Sequence, residues 1–226
     1  MDLIQHRASD RWEIGDLVAE ATGRADRADP RKPRSGGPAG NARLTAWTGV
    51  VLLVLLAVEG VTLIDVSGLI TWHIVVGTLL VPPAILKTAT TGWRMVRYYT
   101  GNRDYRLAGP PPMLLRILAP LVVVSTMALL TTGILVGLDG PDSARGSLWG
   151  TPISLLFLHQ ASFAVWVTAT SLHVLGRLVP AARIIAGRAA SAVDGRALRG
   201  VAVVAVLGVA VWLATVVLAS SAGWAG

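Results

Sequence analysis

Five long apolar runs, almost free of charge, decide what this chain can fold into. They are Leu44–Ile64, broken only by Glu59; Val66–Leu86; Ile117–Leu138; Gly146–Gly176; and Gly200–Gly226, whose core is Val201–Leu218. A bilayer core ~30 Å thick takes about 20 apolar helical residues to cross. Lipid offers no hydrogen-bond partner, so each run has to be a helix that satisfies its own backbone. Hiding five such runs inside a soluble enzyme would need far more polar surface than 226 residues with 15% charged can supply; a soluble domain carries roughly 25%. The expected fold class is therefore all-α: an integral membrane helical bundle of about five transmembrane helices, four of them packed up and down.

The charges that remain sit in blocks between the runs. Arg24, Arg27, Arg31, Lys32, Arg34 and Arg43 precede the first run. Arg94, Arg97, Arg103, Arg106 and Arg116 separate the second from the third, and Arg177, Arg183, Arg188, Arg196 and Arg199 the fourth from the fifth. The other two connections hold Asp65 alone, and Asp139, Asp142 and Arg145. Positive loops stay in the cytoplasm, so the N-terminus is expected inside the cell membrane and the C-terminus outside. The formal net charge of +7 is thus a topology signal that implies no nucleic-acid partner, though the arginines suit anionic lipid headgroups. Cysteine is absent, which excludes disulfides and cysteine-held clusters.

The chain divides into a cytoplasmic arm and linker (1–43), a four-helix transmembrane bundle (44–180), and a cytoplasmic loop with a fifth transmembrane helix (181–226). Residues 1–22 read either as a short amphipathic helix on the membrane or a partner, or as a solvated tail. Residues 25–42 have the Pro, Gly and charge content of a linker. The first run lacks a cleavage-site pattern and is expected to stay. The fifth, with no ionisable side chain in its core, is expected outside the four-helix bundle. No internal repeat, P-loop or nucleophile motif is visible.

Of four histidines, His6 lies in the arm and His73, His159 and His173 lie inside predicted spans, where ionisable groups are costly and usually functional. His159 and His173 stand about four helical turns apart in the fourth run. At about 100° per residue they share one helix face, ~21 Å apart along the axis. The second and fourth spans run in the same direction, which puts His73 and His159 at similar depth and able to face each other. Two neutral imidazoles facing across a bundle suit the axial positions of a haem iron. Gly77, one turn from His73, and Gly133 and Gly137 in the third span would let a flat ring approach the backbone. For any one histidine alone, a hydrogen-bonded interior residue is the simpler reading.

The segment 158–177, LHQASFAVWVTATSLHVLGR, resembles a histidine-bearing helix of the membrane-bound cytochrome b superfamily: the cytochrome b subunits of formate dehydrogenases and hydrogenases, and the N-terminal bundle of respiratory cytochrome b. The likeness covers about residues 44–180 and rests on spacing and topology. It implies a haem-binding four-helix bundle, with His73 and His159 as iron ligands of one b haem and His173 as a ligand of a second. The chain departs from the di-haem pattern at Lys87. This lysine follows His73 at the same spacing as His173 follows His159, where a second histidine would be wanted. Three readings of Lys87 compete: an ammonium snorkelling to the inner surface, a partner for a haem propionate or quinone oxygen, and a neutral amine ligand to a second iron. Pro82 and Pro83, between His73 and Lys87, are expected to kink the helix. Glu59, at the depth of His73, reads as an acid open to interfacial water, as an acceptor that orients the imidazole, or as a proton relay. Trp47, Trp72, Trp93 and Trp149 read as interface anchors.

The expected function is a membrane b-type cytochrome. It would transfer electrons within or across the membrane to or from a quinone or a redox partner subunit, as an electron-transfer component rather than a stand-alone enzyme. The rival is a haem-free anchor or scaffold subunit, or a small transporter; the transporter is disfavoured because no paired interrupted helices occur in two matching halves.

Overall fold

A computed structural model of the chain describes residues 15, 18, 19, 37–107, 109, 113–186 and 195–224. The expected amphipathic segment within 1–22 and most of the linker lie outside the described residues. The described elements are helical: α1 (Pro38–Thr62), α2 (Ile70–Tyr99), the short α3 (Arg103–Leu107), α4 (Met113–Asp139), the short α5 (Pro141–Arg145), α6 (Leu155–Ala186) and α7 (Arg196–Ser220), followed by a 3-10 turn at Ala222–Trp224. α1, α2, α4, α6 and α7 are each long and apolar enough to cross a membrane, so the chain is a multi-pass, all-helical membrane protein. α2 packs against α1 on one side and α7 on another, and α4 pairs with α6; lesser contacts of α1 with α6 and α2 with α4 close the bundle.

The packing is that of helices in lipid. Lipid tails are as apolar as leucine, so burying large side chains gains little, and close backbone approach over small residues holds such helices together. The buried positions follow this rule: Ala39, Ala46 and Thr48 on α1, Thr78, Ala84 and Thr90 on α2, Ala169 and Gly176 on α6, and Ala210 and Ala214 on α7. Leu53, Val54, Val124, Leu175, Val204 and Trp212 are exposed on the outer faces of the helices. Trp47, Trp72, Trp93 and Trp149 are also exposed, as lipid-interface anchors need to be. The fifth span, α7, packs along α2 and its Val217 faces Gly137 of α4.

Two helix boundaries differ from the sequence expectation, and each has a local cause. α1 starts at Pro38, inside the expected linker. Proline at the first helical position has φ pre-set and loses no hydrogen bond, because its missing N–H would have no partner there. Asn41 Nδ2 then donates to Thr90 O at 2.9 Å, tying that first turn to α2. The fourth span starts only at Leu155. Residues 146–154, apolar enough to read as helix, instead form a tight reversal in which Ser147 and Ser154 bridge and Leu148 N donates to Ile153 O at 2.8 Å. Trp149 (φ 50°) and Gly150 (φ 76°) turn the chain there in the left-handed region. α2 runs through Pro82 and Pro83 without a break in its assignment.

Candidate functional site

His73 and His159 both fall within the first two turns of their helices, α2 and α6, at the end of the bundle closed by residues 63–69 and 146–154. The first of these connections sets the depth of His73. Asp65 Oδ1 accepts from Ser67 Oγ (2.8 Å) and Gly68 N (3.0 Å), and Leu69 N donates to Asp65 O. These two donors hold the Asp65 carboxyl below its ordinary range, the Gly68 N–H more than the Ser67 hydroxyl. His73 N then donates to Leu69 O at 2.9 Å, so the turn feeds directly into the helix that carries the imidazole.

The two imidazoles meet with ring centroids 6.3 Å apart and planes 77° from parallel. His73 Nδ1 lies 2.9 Å from Glu59 Oε1 and 3.1 Å from Thr62 Oγ1. The Thr62 hydroxyl donates to Glu59 O at 2.7 Å. Its one hydrogen is therefore committed, and towards His73 it acts as an acceptor. His159 Nδ1 lies 3.2 Å from Thr132 Oγ1. That hydroxyl is likewise committed to its own helix, 2.7 Å from Ala128 O and 3.1 Å from Leu129 O. Both rings thus have oxygen atoms at hydrogen-bond distance from Nδ1, an arrangement that suits the Nδ1–H tautomer, in which Nε2 carries the lone pair.

The small residues around the pair serve the side chains directly. A Cβ on Gly133 would sit 3.0 Å from His159 Cε1, so the glycine makes room for this imidazole against α4. A Cβ on Gly77 would lie 3.5 Å from Glu59 Oε1. Glu59 is only 13% exposed and His73 21%. α1 and α2 thus bring the Glu59 carboxyl and the His73 ring together, the contact that the orienting reading of Glu59 requires.

The second pair, Lys87 and His173, is arranged differently. Lys87 Nζ donates to Thr45 O at 3.1 Å and sits against Gly49, whose missing Cβ would lie 2.9 Å away. The ammonium therefore reaches across to the backbone of α1. His173 lies on α6 within electrostatic range of Lys87 and Arg177. Its Nδ1 is buried without a hydrogen-bond partner among the described residues, as is Thr170 Oγ1 one turn before it.

The donor set can be tested against what it would hold. Among the described residues, no three His, Asp or Glu side chains converge as a bare metal ion would require. Two imidazoles suffice only for a metal that brings its other ligands, as haem iron does. The 6.3 Å between the ring centroids of His73 and His159 is a separation that one metal atom between two imidazoles could span with bonds of ~2.0–2.1 Å. The acceptors on both Nδ1 atoms complete the pattern expected around ligating histidines.

Nothing in the sequence singles out Thr62 or Thr132. Thr62 stands one helical turn after Glu59, and Thr132 immediately before Gly133. A threonine at those spacings is common in any membrane helix, so the signal becomes specific only when the helices are assembled. The chain matches no protein-family model, no curated protein and no solved structure.

Proposed function

We propose that this chain is a membrane b-type cytochrome that carries electrons within or across the cell membrane, and that His73 and His159 would hold its one b haem. The observation that carries the proposal is the pair itself: two imidazoles with ring centroids 6.3 Å apart on α2 and α6, each with an oxygen at hydrogen-bond distance from Nδ1. When bound, haem iron supplies a one-electron couple at that site. The chain's residues hold and orient the ligands, and the lipid-facing exterior keeps bulk water away. Gly133 already lies against the His159 ring, so seating a porphyrin would part α4 and α6 locally. A second haem at His173 would require a ligand on the opposite side, and Lys87 can serve only by leaving Thr45 O. The proposal therefore assigns one haem and leaves His173 in the helix interior. The donor or acceptor is a quinone or a redox partner subunit. The arginine-rich connections support an N-terminus in the cytoplasm and a C-terminus outside.

The test is haem content. Full-length protein produced with ample haem should show a Soret band and a reducible α-band. Pyridine haemochrome assay should give about one haem per chain, and His73→Ala should abolish it while the protein still inserts. A correctly folded, colourless wild-type protein would establish the haem-free anchor or transporter instead. A His73→Ala variant with full haem and an unchanged reduced spectrum would refute the ligand assignment.

A further inference from the structure

The two rings are held by chemically different partners. His159 Nδ1 meets a neutral hydroxyl, Thr132 Oγ1, which also lies 3.4 Å from Ser162 Oγ. His73 Nδ1 meets a carboxylate oxygen at 2.9 Å and a hydroxyl at 3.1 Å. The Thr62 hydroxyl donates to the Glu59 backbone carbonyl at 2.7 Å and lies 3.4 Å from Oε2, and Gly77 flanks Oε1, where an added Cβ would make an ordinary contact at 3.5 Å. Glu59 is on α1 and His73 on α2, so this contact spans the helix pair that flanks the site.

We infer that Glu59, with Thr62, is a positioning residue for His73: it fixes the Nδ1–H tautomer and makes His73 the more strongly donating of the two ligands. A carboxylate accepting from Nδ1–H pushes electron density towards Nε2 and raises ligand basicity, and charge-assisted hydrogen bonds are roughly twice as strong as neutral ones. A more basic axial ligand, with a negative charge behind it, favours the oxidised over the reduced metal. Glu59 therefore lowers the reduction potential of the haem, whereas Thr132, as a neutral acceptor, orients His159 with little effect on potential. The inference about potential rests on the haem reading; the inference about the tautomer stands on the geometry of Glu59, Thr62 and His73 alone.

Two readouts on the full-length protein test it. Glu59→Gln keeps a side-chain oxygen able to accept from Nδ1–H but removes the charge. Haem content should stay at the wild-type level and the midpoint potential should rise, by about tenfold in the reduction equilibrium, or ~59 mV for one electron. Thr62→Val, which retains the carboxylate, should move the potential less, and Thr132→Val least. Equal potentials in wild type and Glu59→Gln, both carrying haem, would overturn the tuning role while leaving the haem assignment standing. A wild-type chain that binds no haem would defeat the haem reading and the tuning role with it. Nitrogen-15 imidazole spectra of the haem-free protein decide the other half. They should show His73 as the Nδ1–H tautomer in wild type and a mixed tautomer in Glu59→Ala. A His73 that is an Nε2–H tautomer in wild type would overturn the positioning role.

Discussion

At one end of α2 and α6, His73 and His159 face each other with an acceptor behind each Nδ1. About four turns further along the same two helices, Lys87 and His173 form no such arrangement. The ammonium of Lys87 is spent on a backbone carbonyl of α1, and His173 Nδ1 and Thr170 Oγ1 are buried with nothing to bond. In a low-dielectric interior a fully satisfied polar cluster is rigid, while an unsatisfied polar group costs ~1–3 kcal/mol. The same sequence spacing on both helices thus produces a hydrogen-bonded imidazole pair at one end and, at the other, a buried His173 Nδ1 without a partner among the described residues. Spacing places side chains at a depth; their partners decide what they can do.

The sharpest way to break this comparison is to remove one histidine from each end. Loss of a partner behind a ligating histidine typically costs about 10–100-fold in metal affinity, and loss of the ligand itself costs at least as much. His159→Ala should therefore reduce haem content by more than about tenfold. His173→Ala should leave haem content and the reduced spectrum unchanged. Haemochrome assay of the two variants side by side checks both, and a larger loss from His173→Ala would reverse the roles of the two ends.

A smaller effect is expected from Gly133→Ala. The added Cβ would meet His159 Cε1 at 3.0 Å, and overpacking of this kind costs ~1–3 kcal/mol. Gly60 on α1 has open space where its Cβ would go, so Gly60→Ala should change stability by no more than about 0.5–1 kcal/mol. Thermal melts in detergent should separate the two, with Gly133→Ala also losing haem at lower temperature. Equal melts would mean that the ring has room to move away from α4.

The smallest effect belongs to the end that carries Lys87. Lys87→Met removes a buried ammonium whose one described acceptor is Thr45 O, and a charge in the membrane interior costs ~2.5–3.5 kcal/mol on insertion scales. The substitution should leave the melting temperature unchanged or raise it, with haem content unaltered. A loss of haem on Lys87→Met would place Lys87 in the cofactor's surroundings and restore the reading in which it pairs with a propionate.

The spans, their number and the depth of the histidines are legible in the sequence because they depend on composition and on the fixed rise of a helix, about 1.5 Å per residue. Helix ends are less so. Residues 146–154 are as apolar as a span, and only the reversal at Trp149 and Gly150 takes them out of α6. Pro38 reads as a linker residue in a stretch rich in Pro and Gly, yet it opens α1, because proline is well tolerated at a first helical position.

The sequence by itself determined that this is a bundle of membrane helices, because no other structure satisfies five nearly charge-free runs in lipid. It also determined that His73 and His159 share a depth, because helical rise is fixed. The tertiary structure decided the rest: that Glu59 turns to His73, that Lys87 turns to Thr45, and that both imidazoles face acceptors at Nδ1. Which side chain meets which across two helices depends on rotation about each axis. That rotation is set by close packing over residues such as Gly49, Gly133, Ala210 and Ala214, and apolar helices with no marked polar face do not announce it in their sequence.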